Sequence, residues 1–326
     1  MNKEIVVNSM REACREHGIK GAVIGISGGK DSTVVAALMT EVLGPENVLG
    51  VMMPNGVQSD ISDSIRVVEF LGIRNMTVNI KDSFDGLFNG VDAALKGIGV
   101  DTGVNEMSRI NIAPRIRTAT LYAIAQSMGS GWRVIGTTNA SENYIGWLTK
   151  WGDGAADFEP IIELTVSEVI ALGKEFNLPI DLVEKTPIDG LSDGTDEERI
   201  GFTYAQLDKH INEGTCGDPI IDEKIERMHF YSEHKRQPIP HLYLNTDPEQ
   251  RYNIYKVSLG ACYFGFALVA AENAEKANEE IDCFKKVDSD NGCDSWGHSY
   301  VDESDVIENA YATEKGYIYN NIMYGG

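Results

Sequence analysis

The chain has 326 residues, with 50 Asp and Glu against 28 Lys and Arg, a formal net charge of −22. That acidity excludes a nucleic-acid-binding surface, which needs a basic face. No apolar run is long enough to cross a bilayer, and the first residues lack the apolar stretch of a secretory leader.

Five scattered cysteines form no CxxC or Cys/His ligand spacing, so the reading predicts a reduced, cytoplasmic protein without a structural zinc site. An apolar fraction of 42% is ample for one large α/β domain, alone or with an appendage. Handling an anionic nucleotide would oblige so acidic a chain to concentrate its few cations. Arg115, Arg117, Lys150 and the run His234-Lys235-Arg236 therefore stand out.

In chain order, residues 3–17 read as a helix with Ile5, Val6, Met10 and Ala13 on one side, followed by a strand at 22–26. Next comes Ser27-Gly28-Gly29-Lys30-Asp31-Ser32, which leads into an apolar helix from 32 to 43. Paired glycines let backbone N–H groups converge, and the helix N-terminus adds its positive end, so the turn suits phosphate. It fails the Walker pattern, because Asp31 separates Lys30 from the hydroxyl residue. An acid there repels bare phosphate unless a metal intervenes. The turn thus suits Mg²⁺-pyrophosphate held by the glycine N–H groups, Ser27, Lys30 and Ser32; an ordinary capped strand-to-helix turn is the competing reading.

Further along, a strand is expected over 47–53, a helix capped by Ser59 or Asp60 and running to Leu71, and a third strand over 77–80. Helices are expected over 82–91 and 104–126, then a short strand over 133–136. This alternation predicts a doubly wound parallel sheet with right-handed crossovers, whose ligands gather at the carboxyl ends of its strands. Residues 186–218, rich in Asp, Glu, Gly and Thr, read as a mobile surface segment that could act as a lid, or as a plain solvated loop. A helix over 218–236 ends before Pro238 and Pro240. The acidic, Tyr-rich stretch beyond is expected to be mostly helical, with Val257–Ala271 as a buried helix.

The hexapeptide resembles the signature of the ATP pyrophosphatases. Three further stretches narrow that resemblance: Asn111-Ile112-Ala113-Pro114-Arg115-Ile116-Arg117, which reads as two arginines on the first turn of a helix; Gly136-Thr137-Thr138-Asn139-Ala140-Ser141-Glu142 followed by 146–157; and Glu233-His234-Lys235-Arg236. In this order they resemble the ammonia-dependent NAD synthetases, over residues 2–241. The resemblance implies an adenine nucleotide alpha hydrolase-like, Rossmann-like fold over 1–241, with 242–326 as an extension without counterpart.

It also implies the chemistry: ATP-dependent amidation of nicotinic acid adenine dinucleotide (deamido-NAD) by free ammonia through an acyl-adenylate, with Mg²⁺ and a homodimer. By position, Gly25, Ile26, Ser27, Gly28, Gly29, Lys30, Asp31, Ser32 and Thr33 would hold ATP with Arg117 and Thr137, and Asp31 and Glu142 would hold the metal. Arg115, Lys150, Asp157, His234 and Lys235 would contact the dinucleotide. Lys30 and Asp31 carry catalysis in this reading, and Asp157 or Asp153 takes a proton from ammonium.

Each assignment has a plainer alternative. Glu142, Arg115 and Arg117 could be surface charges, Trp147 and Trp151 around Lys150 could be core aromatics, and His234 could be a surface histidine. Three positions depart from the family pattern: Val166 replaces a lysine, Ile188 replaces a threonine, and Asn55 stands where an aromatic is common. Lys185 is a candidate replacement cation. Two other readings stay open: a different ATP pyrophosphatase, amidotransferase-linked or sulfur-transferring, and a non-catalytic nucleotide sensor.

Overall fold

The computed structural model describes residues 2–58, 61–185, 195–240, 252–258, 263–271, 275–278, 306–312 and 316–324. Its contacts divide the chain into two compact units, Met1–Pro238 and Ile239–Gly326.

In the first unit, helix α1 (Lys3–Glu16) precedes strand β1 (Gly21–Gly25), α2 (Lys30–Leu43), β2 (Val48–Met52), α3 (Ile61–Leu71) and β3 (Arg74–Thr77). Then follow α4 (Lys81–Gly97), α5 (Glu106–Met128), β4 (Trp132–Val134), α6 (Ala140–Ile145), α7 (Val166–Glu175) and α8 (Ile180–Val183), and finally α9 (Asp196–Ile200), α10 (Tyr204–Glu213) and α11 (Pro219–Ser232).

The four strands run parallel in the order β3-β2-β1-β4. Val23 pairs with Leu49 on one side and Val134 on the other. Both faces are covered, as a parallel sheet requires. Ala22 and Ile24 pack with Val35 and Leu38 of α2 and Leu172 of α7, whereas the intervening Val23 packs with Val51, Val134 and Ala113 of α5. The strand order reverses direction beside β1, between β2 and β4. A crevice therefore opens at the carboxyl ends of β1 and β4, where such sheets hold ligands.

Several expectations shift. The third strand spans Arg74–Thr77 rather than 77–80; all four of its residues are exposed, so no apolar alternation marks it. Pairing continues past it, since Val78 N–H donates to Met52 O at 2.9 Å and Ile80 N–H to Pro54 O at 2.9 Å. The caps proposed at Ser59 and Asp60 lie outside the described residues. Arg115 and Arg117 sit in the middle of α5 rather than on a first turn, because the helix begins at Glu106, capped by Asn105 Oδ1 accepting Ser108 N–H. Pro114 is interior to that helix, and the arginines lie well away from its positive N-terminal end.

The proposed lid is largely ordinary helix. Thr195 with Glu198 and Thr203 with Gln206 form capping boxes that open α9 and α10. Ile200, Phe202, Tyr204 and Leu207 are buried against Ile145 and Ile225. The acids that gave the stretch its loop-like composition are those favoured in first turns. Residues 186–194, with Ile188, lie outside the described residues.

The second unit corrects the expectation of a helical extension. It contains strands β5 (Tyr252–Ser258), β6 (Tyr263–Ala271), β7 (Val306–Ala312) and β8 (Gly316–Tyr324), in an antiparallel sheet ordered β7-β5-β6-β8. Within Val257–Ala271 the sequence is rich in aromatic and β-branched residues and interrupted by Gly260. That composition favours strands even where the run's length permits a helix.

Candidate active site

The turn after β1 closes on itself through its own hydroxyls. Ser32 Oγ accepts from Ser27 N–H at 3.3 Å and lies 3.1 Å from Ser27 Oγ. Ser27 Oγ accepts from Gly29 N–H at 3.2 Å, and Thr33 Oγ1 donates to Gly29 O at 2.7 Å. Gly28 has φ +82°, and a Cβ there would stand 2.9 Å from Asp63 Cβ and from Ser64 N. Conformation and close packing both demand glycine.

Lys30, the first residue of α2, is 3% exposed. Its Nζ lies 2.9 Å from Asp31 Oδ2 and 5.5 Å from the centre of the Tyr204 ring. Burial disfavours its charge, but Asp31, Glu142 and Asp196 outweigh that cost and hold its pKa above the ordinary lysine value.

The second half of the site comes from β4. Asn139, fully buried, caps α6 by accepting Glu142 N–H on Oδ1 at 2.9 Å, and donates from Nδ2 to Asp31 Oδ1 at 3.0 Å. This one amide therefore ties the turn after β1 to the turn after β4. It orients Asp31 toward Glu142, whose pKa is pushed up to about 8 by burial and then by the charge on Asp31, against the pull of Lys30.

Two hard carboxylates that resist sharing negative charge fit a divalent cation such as Mg²⁺, which would favour the ionised form of Glu142. No trio of acids, histidines or cysteines with metal-holding geometry occurs among the described residues, so the fit is to a two-carboxylate clamp completed by phosphate and water.

Around this centre, Arg117 Nε donates to Met53 O at 3.1 Å, just beyond β2; burial holds its pKa below the usual arginine value, with Asp153 acting the other way. Thr137 is half-buried in the turn after β4. Arg115 is exposed and donates to Lys150 O at 3.3 Å. Lys150 Nζ donates to His234 O and stands 5.4 Å from the Trp151 ring, while Trp147 instead underlies Arg199 at 5.0 Å, so Lys150 is not sandwiched between the two rings.

Lys235 donates to Gly146 O at 2.6 Å and Leu148 O at 2.7 Å, which makes it a tie across the 146–150 loop. His234 is exposed. Beside them opens a cavity of about 280 Å³ lined by Trp147, Arg227, Met228, Tyr231 and Lys235. Val166 is buried at the start of α7. Lys185 Nζ bonds Asp63 Oδ2 at 2.7 Å, the residue against which Gly28 packs, which puts this cation near the turn after β1.

Asp157 is tied to the sheet edge. Its Oδ2 accepts from Val134 N–H at 2.9 Å and its Oδ1 from Tyr122 Oη at 3.4 Å. Two residues on, Glu159 meets the turn after β4, where Oε2 accepts from Thr138 N–H at 3.3 Å and the carboxyl group occupies the space a Cβ on Gly136 would fill. Burial, reinforced by Asp153, raises its pKa to about 7 against the Thr138 N–H bond.

Glu159, Asn139, Tyr204 and Asp196 all escaped the sequence reading. Asn139 alone carried a signal, the Asn-x-x-Glu spacing of a capped helix. Asp196 is buried next to Tyr204, and burial raises its pKa despite the nearby charge of Lys30.

Comparison with known proteins bears on the whole of the first unit. The NAD synthase family model matches residues 3–247. An NH(3)-dependent NAD(+) synthetase of Pyrococcus furiosus is 38% identical over 254 residues, covering 73% of this chain and 93% of the relative. That of Pyrococcus horikoshii is 40% identical over 248 residues, 71% of this chain and 91% of its own. Among solved structures, an NMN synthetase from Francisella tularensis superimposes with a TM-score of 0.64 at 33% identity, covering 74% of this chain and 97% of its own. An NH3-dependent NAD synthetase from Campylobacter jejuni gives 0.61 at 26% identity, with 74% and 100% covered.

Proposed function

This chain belongs to the NAD synthase family, and we propose that it amidates deamido-NAD with ammonia, consuming ATP and releasing AMP and pyrophosphate. The observation that carries the reading is the buried Asn139 amide, which fastens the Lys30–Asp31 turn to Glu142 at the reversal of the sheet. The reading places the activity in residues 1–241 and the enzyme in the cytoplasm. Among the described residues no helix is long and apolar enough to cross a membrane.

In this mechanism the nicotinate carboxylate attacks the α-phosphorus of ATP. The chain's own residues then bind, orient and neutralise the reactants. The turn at 27–33 receives the departing pyrophosphate, and Lys30 exchanges Asp31 for a phosphate oxygen and so offsets charge as it develops. Arg117 and Thr137 flank the same crevice from β2 and β4 and orient the nucleotide. Arg115, Lys150, His234 and Lys235 draw the second polyanion toward the first, which repels it. Asp31 and Glu142 would hold Mg²⁺, whose role when bound is to neutralise the triphosphate. Asp157 or Asp153 accepts a proton as ammonia is released from ammonium.

We place a homodimer contact on α4, a helix with no buried residue, where Leu87 is 47% and Val91 41% exposed.

The test is incubation of the protein with ATP, Mg²⁺, ammonium and deamido-NAD, with AMP and NAD measured. A parallel arm supplies nicotinic acid mononucleotide, because the Francisella tularensis neighbour is named for a mononucleotide product. AMP and NAD appearing without glutamine support the reading. Turnover of the mononucleotide alone moves the substrate to that class, and absence of AMP in both arms refutes the reading.

A further inference from the structure

Asp196 opens α9 and is 5% exposed. Its carboxylate takes a long bond from Tyr204 Oη to Oδ2, 3.4 Å, and a side-chain interaction from the Trp147 indole, while its Oδ1 meets no hydrogen-bond donor among the described residues. A buried carboxylate oxygen without a donor is costly and rare, and where one persists a ligand often supplies the missing donor. This oxygen stands beside the chemistry. Asp196, Asp31 and Glu142 all act electrostatically on Lys30, and the Tyr204 ring that carries the bond to Asp196 also faces the Lys30 ammonium. Yet Asp196 stands off the Asp31–Glu142 pair, since no three acids among the described residues converge on one ion. It is not a third metal ligand.

The reaction offers few donors that suit such a place. ATP and the dinucleotide are polyanions, which a carboxylate repels. Ammonium is small and positively charged, carries only donors, and is stabilised over an aromatic face. We propose that Asp196 binds ammonium, the nitrogen donor of the amidation, through its unpartnered Oδ1 beside the Tyr204 ring, next to the acyl-adenylate. The inference rests on the reading of the chain as an ammonia-using NAD synthase. It adds the residue that receives the third substrate.

The test is full-length Asp196→Asn, assayed for NAD formation across an ammonium titration at saturating ATP and deamido-NAD. Asparagine preserves shape but removes the charge and half of the acceptors. The KM for ammonium should rise about ten- to a hundredfold, the range expected for one charge-assisted hydrogen bond. The KM for ATP should stay within about twofold, as should dinucleotide-dependent ATP–pyrophosphate exchange, which reads adenylylation alone.

An unchanged ammonium KM overturns the proposal. So does a rise in the ATP or dinucleotide KM in its place, which would assign Asp196 to a nucleotide hydroxyl or amine. If Asp196→Asn does not fold, Tyr204→Phe decides. Loss of its hydroxyl leaves Asp196 less fixed and should raise the ammonium KM about two- to fivefold with the same split, and no change refutes the site. A wild-type protein that forms no NAD from ammonium refutes the parent reading instead, so the two failures are distinguishable.

Discussion

Replacing Asn139 tests the joint between the two halves of the site. Asn139→Ala removes the acceptor that caps α6, a loss typically of about 1 kcal/mol. It also removes the donor to Asp31, and bonds to charged groups contribute about 1.5–3 kcal/mol. Asp31 keeps Lys30 as a partner, so the lower part of that range applies. Together they give about 2–3 kcal/mol, and for a unit of this size each kcal/mol lowers the melting temperature by about 2–4 °C. The expected fall is roughly 4–12 °C by calorimetry, with adenylylation reduced as Asp31 loses its orientation toward Glu142. Asn139→Asp separates the two roles. Aspartate is an equally good cap, but it sets a second carboxylate where Asp31 expects a donor. One of the pair must then hold a proton, with a folded pKa raised above the unfolded value. Stability is therefore near wild type at pH 5 and is lost as the pH rises through neutrality, while adenylylation is low throughout. A melting temperature for Asn139→Ala within about 2 °C of wild type, with normal ATP–pyrophosphate exchange, would refute the joint.

Three other outcomes follow from the geometry. Glu159 holds its proton to about pH 7, against 4.5 ordinarily, so its contribution to stability is intact below about 4.5 and is lost as the pH climbs to 7. Glu159→Gln escapes that loss and should be more stable than wild type by about 1–3 kcal/mol at pH 8 and equal to it at pH 4; parallel urea midpoints across that range would contradict the burial argument. Leu87→Glu combined with Val91→Lys places charge on the exposed apolar face of α4 and should halve the mass measured by light scattering. An unchanged mass would move the dimer contact elsewhere. Ending the chain after residue 247, where the family match stops, should leave the amidation rate within about twofold, and a collapse in rate would make the β5–β8 sheet part of the enzyme.

What the sequence disclosed follows the range of the interactions involved. The β1–turn–α2 unit was legible because its signals are local: apolar residues in succession, two glycines, then Lys-Asp-Ser at a helix start. Glu142 was legible through the motif around it. The position of Arg115 and Arg117 was not, since Pro114 reads as a first-turn residue while the true cap, Asn105, lies nine residues earlier. Nor were Glu159 and Asp196. Asp196 opens the acidic run Asp196-Glu197-Glu198 and Glu159 stands between Phe158 and Pro160, and each becomes distinctive only when folding brings Tyr204 or Gly136 against it. The extension misled for another reason. A fifteen-residue apolar run fits a buried helix by length, and only its aromatic and β-branched content argues for the strands that form.

The acidity of the chain acquires a physical role at this centre. A lysine buried to 3% exposure would ordinarily lose its proton, yet three acids hold Lys30 charged before any substrate arrives. In the proposed reaction those same acids would repel the triphosphate that Lys30 must meet. An exchange of partners would resolve the conflict: Asp31 and Glu142 would hold the cation, Lys30 would turn from Asp31 to phosphate, and Asp196 would keep its Oδ1 open to ammonium. Asp31 is the hinge of that exchange, because it is bonded at once to Lys30 and to the Asn139 amide that sets Glu142 beside it.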